Sequence, residues 1–224
     1  MAEFSSTSGI PVATIKFYLR EKLLPAGESE TANQASYGAV HLDRLRLIRA
    51  LIDVGGLSVA STHSVLEAID SDASLPEVFK VAQRSVSAAI EPGDLEPADL
   101  ASIDALLEGW HVSPENPGRL AAARVLSAFR GVGQTDERGW FSRYAGAALL
   151  IAAADLDEIE SRQGRAAKAE TVVVGTVLGD ALISGIGRVD CVDVERVRRT
   201  RQEAVGKRNR IFRIVGKRAT CVAS

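Results

Sequence analysis

The segment from Val12 to Leu23 restricts the fold most, because it is an amphipathic helix with an aromatic residue on its polar side. At about 100° per residue, one side of this helix is an apolar stripe made of Val12, Ile15, Leu19 and Leu23. The other side and its flanks carry Ala13, Thr14, Lys16, Phe17, Tyr18, Arg20 and Glu21. An outward ring gains nothing from contact with water, so Phe17 is predicted to meet a partner surface.

A short helix and a turn precede this segment. Residues 2–8 are predicted to form a helix that ends at Gly9, a residue suited to a tight turn, and Pro11 precedes or opens the next helix. Two helices joined in this way, the second with a polar and basic outer face, are typical of a helix-turn-helix, whose second helix lies in the major groove of DNA. Spacing alone leaves an alternative open, in which Phe17 packs on a second domain or on a partner helix.

The residue types on the outer face suit contacts with DNA. Thr14, near the start of the helix, would approach base edges, whereas Lys16 and Arg20 would contact phosphates or the O6 and N7 atoms of a guanine. Phe17 would pack against a thymine methyl group or a sugar.

A wider pattern carries a family resemblance. "GIPVATIKFYLREKLLP", a polar loop with a tyrosine, and then "HLDRLRLIRALIDVGGLSV" together resemble the DNA-binding domain of the MerR family of transcription regulators, over roughly residues 2–70. "TIKFYLREKLLP" matches the family core Thr-Ile-(Arg/Lys)-(Tyr/Phe)-Tyr-x-(Arg/Lys)-x-x-(Leu/Ile)-Leu-Pro almost position by position. The resemblance implies a winged helix-turn-helix that acts as a dimer.

The resemblance also implies which residues touch DNA. The recognition helix would contribute Thr14, Lys16, Phe17, Tyr18 and Arg20. The wing, which follows the adjacent DNA backbone, would contribute Asn33, Gln34, Ser36 and Tyr37, and Arg44 would support the wing from the next helix. The chain departs from the family pattern, since Phe17 replaces the commoner tyrosine, "NQASY" lacks the arginine of a "GYRxY"-like wing, and the small strand that leads the first helix in many relatives is not expected here. With few cations, one domain is expected to bind DNA weakly, and two copies on a palindrome would bind better.

Helical periodicity continues through the rest of the chain. It predicts helices near 76–90, 97–110, 117–130, 138–161 and 164–185, and alternation typical of strands is scarce. The predicted fold class is therefore mainly α, a winged helix-turn-helix followed by an all-α C-terminal domain. The expected division is a DNA-binding domain at 1–70, a helical dimerisation and effector domain at 71–190, and a basic segment at 191–224. "YAGAALLIAAADL", apolar most of the way round, is expected to be a central buried helix.

Charge and cysteine usage indicate the compartment. The net charge is only −2, but residues 191–224 contain ten basic residues against three acidic ones, which suits either a polyanion partner or a solvated end. Cys191 and Cys221 are the only cysteines, too few for a disulfide framework, which favours a reducing compartment. No apolar run is expected to reach the length of a membrane span, so the expected location is the cytoplasm, with no membrane partner.

Catalytic, metal and cofactor sites are not expected. Ser142, His111 and Asp136 could be drawn as a hydrolase triad, but nothing in their spacing supports one. Cys191 has no partner at metal-ligand spacing. The glycines of "VVVGTVLGDALISGIG" lack the Gly-Lys-Ser/Thr of a phosphate loop and suggest close helix packing instead. His63 shares a face with Val59 and is expected to be a core histidine.

One aromatic neighbourhood leaves two interpretations open. Trp110, Trp140 and Tyr144 are the candidate lining of a ligand pocket, although an aromatic cluster of this kind is more simply read as core and interface anchors. The preferred hypothesis is a homodimeric bacterial regulator that distorts double-stranded promoter DNA in response to a small-molecule effector, so that RNA polymerase engages. The alternative is a ligand-independent regulator whose C-terminal domain serves only dimerisation or protein docking.

Overall fold

A computed structural model describes residues 1–31, 34–87, 90 and 92–189 of the 224-residue chain. The chain separates into two compact units, Met1–Asp180 and Ala181–Ser224. Of the second unit, the described part is residues 181–189, a helical stretch that exposes Leu182 and Ile186. The predicted division at residues 70 and 190 stays a prediction.

The N-terminal part of the first unit has four α-helices and one hairpin in its described residues. These elements are α1 (Ala2–Ser8), α2 (Val12–Arg20), β1 (Glu28–Thr31), β2 (Gln34–Ser36), α3 (Ala39–Arg49) and α4 (Val59–Asp70). A π-helical turn, Ala50–Val54, continues α3. The strands are antiparallel, with Glu28 opposite Ser36, and form the wing. This order of elements confirms the predicted winged helix-turn-helix.

Helices make up the rest of the described chain, which confirms the predicted mainly-α class. They are α5 (Leu75–Val86), α6 (Pro97–Leu106), α7 (Pro117–Gly131), α8 (Trp140–Ser161) and α9 (Arg165–Val189), with a 3₁₀ turn at Pro92–Asp94. Each of the five helices lies close to the segment predicted for it.

Local signals explain where several helices begin and end. Gly9 closes α1 in the left-handed conformation, with φ of 68°, and Pro11 precedes the first residue of α2. Ser58 precedes α4, and its hydroxyl oxygen accepts a hydrogen bond from the Ser61 N–H at 3.0 Å. These turn and cap residues act locally and are therefore visible in the sequence.

The end of α2 is less usual, because Lys22 adopts the left-handed conformation with φ of 57°. The Leu23 N–H donates to the Tyr18 carbonyl at 2.9 Å, and the Lys22 N–H donates to the Leu19 carbonyl at 3.2 Å. This pair of bonds is a Schellman motif, in which the left-handed position is usually glycine. A lysine therefore occupies a position that its Cβ atom disfavours.

The N-terminal half of α9 completes the core of the DNA-binding elements. Val172, Val173 and Val177 belong to the same buried cluster as α2, α3 and α4. The largest fully buried apolar side chains of this cluster are Ile15, Leu23, Leu24, Leu45, Ile48, Leu51, Val65, Val78, Val172, Val173 and Val177. The helix-turn-helix thus shares its hydrophobic interior with a helix more than one hundred residues later in the chain.

Gly55 is the glycine that close helix packing requires. A Cβ atom at this position would lie 2.3 Å from Val177 Cγ1 and 2.7 Å from the Leu51 carbonyl oxygen. By contrast, a Cβ atom on Gly175 would meet only Asp155 Oδ1, at 3.9 Å, and one on Gly179 would meet nothing within 4 Å. Within the described residues, Gly175 and Gly179 therefore do not mark close packing, contrary to the sequence-based expectation.

The expectation of a central buried helix at 144–156 is wrong. Along α8, Ile159 is the one buried residue, and Leu150 is 73% exposed. The helix contacts the rest of the unit mainly near its two ends, where Ile159 joins the core and Trp140 packs against Phe129. Its apolar middle is left uncovered because the neighbouring helices within the described residues do not reach it.

The length and composition of α9 correct the expectation that no apolar run reaches the length of a membrane span. Within the described residues, the stretch Arg165–Arg188 is long and apolar enough to cross a membrane by those two criteria alone. A core helix of a globular domain passes the same test, and Val172, Val173 and Val177 of this stretch pack into the core described above.

Candidate nucleic-acid interface

The outer face of α2 presents two cations. Lys16 and Arg20 are both exposed, and Thr14 is half-buried. The Arg20 Nε donates to Glu21 Oε1 at 3.2 Å, and its guanidinium carbon lies 5.2 Å from the centre of the Phe17 ring. Exposed ion pairs of this kind contribute little, so the Arg20 side chain is free to turn toward a phosphate.

Phe17 does not point freely outward, which corrects the predicted orientation. Its side chain is half-buried and packs against the core cluster, with its ring centre 5.7 Å from that of Tyr18. One part of the ring is therefore an anchor for α2. The exposed part lies beside Arg20 on the surface that the helix presents.

Tyr18 belongs to the core rather than to the flank of the helix. Its side chain is 6% exposed, and its carbonyl accepts the bonds that end α2. Burial raises the pKa of the Tyr18 hydroxyl, the charge of Asp53 raises it further, and Arg49 opposes the effect. The Tyr18 ring therefore lies on the core side of the recognition helix, and its predicted contact with DNA stays a prediction.

Tyr37 anchors the base of the wing. Its ring stacks on Phe4, with centres 4.9 Å apart, and meets the edge of His41 at 5.3 Å. A Cβ atom on Gly27 would come within 2.6 Å of the Ser36 carbonyl and 3.0 Å of the Tyr37 ring, so the two sides of the wing meet closely here. Tyr37 is half-buried and packs against the core cluster, and its predicted contact with DNA stays a prediction.

The remaining wing residues are only partly described. Ser36 is half-buried at the end of β2, and the backbone of Gln34 pairs with Thr31 across the hairpin. Asn33, also predicted to contact DNA, lies outside the described residues. The wing contacts of these three residues stay predictions.

His41 is a buried histidine that the sequence interpretation missed. The Gly38 N–H lies 3.3 Å from His41 Nδ1, and His41 Nε2 lies 3.2 Å from the Ala26 carbonyl. With Nδ1 accepting, Nε2–H donates, so the ring joins the start of α3 to the segment before the wing. His63, expected in the core, is instead 42% exposed and lies 3.8 Å from Glu67. The missed signal is the position of His41 three residues after Gly38, where a side chain caps a helix.

Arg44 is committed to contacts inside the domain. Its Nε donates to the Leu23 carbonyl at 3.2 Å, its guanidinium pairs with Asp70, and its side chain is 15% exposed. It therefore ties the end of α2 to the end of α4. The predicted role of Arg44 in DNA binding stays a prediction.

Comparison with known proteins agrees with this geometry. Residues 1–69 match the model of the MerR HTH family regulatory protein. The fold resembles the crystal structure of SCO5550 from Streptomyces coelicolor A3(2), a protein assigned provisionally as a transcriptional regulator. The two are 32% identical, with a TM-score of 0.64, over 84% of this chain and 91% of that one. The chain belongs to the MerR family. Among curated proteins, no sequence matches it.

Family membership confirms the resemblance seen in the sequence and makes the protein a transcriptional regulator with a helix-turn-helix. In this MerR-family regulator, the end of α4 is held by a residue far along the chain. Arg165, the first residue of α9, donates to the carbonyls of Ile69 at 2.8 Å, Ala68 at 3.1 Å and Ala73 at 2.7 Å. The guanidinium donates hydrogen bonds to carbonyls that lack a helical partner at the end of α4. Its positive charge is also attracted to the partial negative charge at the C-terminus of that helix.

The aromatic residues of the regulator form a cluster at the start of α8. Trp140 lies 5.2 Å from Phe129 and 5.8 Å from Tyr144 between ring centres, and Tyr144 is exposed. Trp110 is half-buried after α6 and has no ring contact with this cluster in the described chain. The structure therefore brings two of the three predicted ligand-binding residues together, and their ligand role stays a prediction.

Asp136 has a structural position rather than a place in a triad. Its carboxylate accepts a hydrogen bond from the Phe141 N–H at 2.9 Å and a second one from the Trp140 N–H. Both donors belong to the first turn of α8, so Asp136 caps that helix. In the described residues, no group of three or more His, Cys, Asp and Glu side chains is placed to hold a metal ion.

Proposed function

We propose that this MerR-family regulator is a homodimer that binds double-stranded promoter DNA through α2 and the wing, and that an effector changes the way it holds this DNA. The observation that carries the proposal is the position of α2. Its inner side is locked into a core shared by α3, α4 and α9, and its outer side presents Lys16 and Arg20 to solvent. Such a helix is suited to enter a major groove.

Each residue of the proposed interface has a distinct role. Lys16 and Arg20 contact phosphates or guanine edges, and Thr14 approaches a base near the start of the helix. Phe17 offers its exposed part to a thymine methyl group or a sugar. Asn33, Gln34 and Ser36 place the wing along the neighbouring backbone. Tyr18, Tyr37 and Arg44 act behind this surface as positioning residues.

The exposed middle of α8 is the proposed dimer surface. Its uncovered large side chains are Tyr144, Leu149, Leu150 and Leu156. Covering these apolar side chains with a second copy is favourable, because it removes them from water. A two-fold contact uses the same patch on both protomers. Dimerisation also doubles the number of phosphate contacts, which compensates for the few cations of one domain.

The proposed regulation follows from the shared core. A dimer that contacts two half-sites fixes the distance between its recognition helices, and a promoter whose half-sites do not fit must be bent or twisted. An effector that prefers one conformation of the dimer then changes this distortion, and with it the engagement of RNA polymerase. Since chromosomal DNA is the target, the proposed location is the cytoplasm.

Sequencing of the genomic fragments that the purified protein retains identifies the operator, and mobility shifts on that operator test the interface. We expect Lys16→Ala and Arg20→Ala to weaken binding and each to lower the salt slope by about 1. Lys80→Ala, which removes an exposed cation from α5, is the matched control and leaves the slope unchanged. If the salt slopes of all three variants equal that of the wild type, the proposed contact of α2 with DNA is wrong.

The dimer surface is tested separately by sedimentation. Leu150→Glu places a charge in the middle of the exposed patch, and we expect it to produce monomers that bind a palindromic site weakly. Leu150 is 73% exposed, so the substitution leaves the fold of the protomer intact. A wild-type protein that is monomeric, or a Leu150→Glu variant that is still dimeric, contradicts this surface. A monomer with full operator binding instead favours the alternative in which α8 docks another protein.

A further inference from the structure

An open-sided cavity of about 480 Å³ lies between α8 and α9, within the first compact unit. Its apolar floor is formed by Phe79 of α5, Ile159 of α8 and Val172 of α9. Thr171, Thr176 and Gly175 form the wall on α9. The volume falls in the range of small-molecule sites, and the wall at Gly175 has no side chain to fill it.

The rim of this cavity is acidic. Asp155, Glu158 and Glu170 line it together with one cation, Arg162, whose guanidinium already pairs with Glu158. Within the described part of the chain, Asp155 has no hydrogen bond or ion pair. Partial burial against α9 raises the pKa of Asp155, and the pKa of Asp180 is raised by burial and then by the charge of Asp155. A positive charge at this rim would offset the repulsion and the lost hydration.

The helix that lines the cavity is also the helix that packs on the DNA-binding elements. Val172 of α9 forms part of the cavity floor, whereas Val177 packs against Gly55 after the π-helical turn. Arg165 at the start of the same helix holds the end of α4. An occupant that shifts α9 against α8 therefore acts directly on the core that positions α2.

We propose that this cavity is the effector site of the regulator, and that its ligand is a small organic cation with an apolar body, such as an arylalkylamine. The ammonium group lies at the rim beside Asp155 and Glu170, and the apolar body lies on Phe79, Ile159 and Val172. The proposal rests on the proposed function for the consequence of binding. It replaces the aromatic residues at the start of α8 as the place where a ligand acts.

Titration calorimetry on the full-length protein tests the charge preference with three probes of nearly equal shape. These probes are 4-phenylbutylamine, the neutral 4-phenylbutanol and the anionic 4-phenylbutyrate. We expect binding of the amine at millimolar concentration or below, weaker binding of the alcohol by about five- to tenfold, and none of the acid. Binding of the acid as tight as that of the amine overturns the proposal, as does absence of binding by the amine.

Matched variants test whether the amine binds in this cavity. We expect Asp155→Asn to weaken binding of the amine by about five- to tenfold without weakening binding of the alcohol. The control is Asp157→Asn, which removes an exposed charge from the same helix outside the cavity and should leave binding of the amine unchanged. Gly175→Leu fills the cavity from a wall where a Cβ atom meets only Asp155 Oδ1, and abolishes binding of the amine in a folded protein. Equal effects of the two asparagine variants, or unchanged binding by Gly175→Leu, overturn the proposal.

A mobility shift on the operator separates this inference from the proposed function. A protein that retains its operator but binds no amine loses the cavity assignment and keeps its function as a DNA-binding regulator. A protein that binds the amine at Asp155 without binding any genomic fragment keeps the cation site and loses the proposed function. Operator affinity that changes at least threefold with the amine, in the wild type but not in Gly175→Leu, supports both.

Discussion

Substitution of Gly55 by alanine tests the contact between α9 and the DNA-binding elements. The backbone of Gly55 has φ of −74° and ψ of −12°, which alanine adopts without strain, so the effect of the substitution is steric. The added methyl group would lie 2.3 Å from Val177 Cγ1 and 2.7 Å from the Leu51 carbonyl oxygen. The first contact is with a side chain in a fully packed interior, and the second is with backbone, so neither is relieved by a simple rotation.

The expected cost follows from the packing. Insertion of one extra methyl group into a close-packed core destabilises a protein by about 1–3 kcal/mol. Because one of the two clashes involves backbone, we expect about 2–3 kcal/mol for Gly55→Ala, which corresponds to a fall in melting temperature of roughly 4–12 °C for a chain of this length. Val177→Ala removes the Cγ1 contact, so in the double variant the cost of Gly55→Ala falls by about 1 kcal/mol. The remaining cost comes from the Leu51 carbonyl.

Urea unfolding and thermal melting of the four proteins of this cycle measure these differences, and a fifth protein is the control. Gly179→Ala adds the same methyl group to a helical glycine with nothing within 4 Å, and is expected to stabilise the protein by about 0.5–1 kcal/mol. The reasoning is refuted if Gly55→Ala is as stable as the wild type. It is also refuted if the effects of Gly55→Ala and Val177→Ala are additive, because Val177 would then not be the neighbour that excludes the methyl group.

Three other predictions concern the same elements. Lys22→Gly removes a left-handed lysine and is expected to raise stability by about 1 kcal/mol in urea unfolding, and a loss of stability would contradict the strain. Arg165→Met leaves the carbonyls at the end of α4 without their donor and is expected to lower the free energy of unfolding by about 2 kcal/mol, with faster hydrogen exchange in α4. Exchange in α4 that is no faster than in the other helices would contradict this role of Arg165. The Ser74 N–H and hydroxyl hold the pKa of Glu77 below its ordinary value of 4.5, so the stability that this cap adds is present above pH 4.5 and is lost as the pH falls through the lower folded value. The stability difference between the wild type and Glu77→Gln should therefore shrink on acidification, and a constant difference would count against the cap.

Local chemistry made most elements predictable. The Gly9 turn, the Ser58 cap and the helical spacing of α5 to α9 depend on residues a few positions apart, which is why the sequence shows them. The family resemblance was equally visible, because the recognition-helix pattern is contiguous. The position of α2 in the fold was therefore predictable to within a fraction of a turn.

A small error in the predicted rotation of α2 about its axis determined which of the two adjacent aromatic residues, Phe17 or Tyr18, was expected to be buried. The apolar stripe of α2 was centred between Ile15 and Leu19, but the core covers Ile15 and Tyr18 and leaves Leu19 half-buried. Adjacent aromatic residues cannot be ranked by spacing, since each lies within one residue of the stripe. Two charged groups that act on the Tyr18 hydroxyl, Asp53 and Arg49, lie beyond α2, so no pattern inside α2 records them.

Distance along the chain explains why two contacts could not be predicted. Arg44 reaches Asp70 across 26 residues, and Arg165 reaches Ala73 across 92, so neither role has a local signal. The apolar run of α8 failed as a predictor for a different reason. Apolar composition indicates that a surface will be covered, but it does not distinguish a neighbour in the same chain from a second copy.

The position of α9 makes one consequence of these long-range contacts unavoidable. Val172 and Val173 are buried with Leu51 and Ile48, so α9 cannot leave without opening the core of the DNA-binding elements. At the same time, Ile159 and Arg165 bind the pair of helices α8 and α9 to that core at the end where the two helices meet. The other end of α8 is held as well, because Trp140 packs against Phe129 there. Under the proposed function, the shared core would transmit a change at α8 and α9 to α2 through packed side chains rather than through a flexible linker.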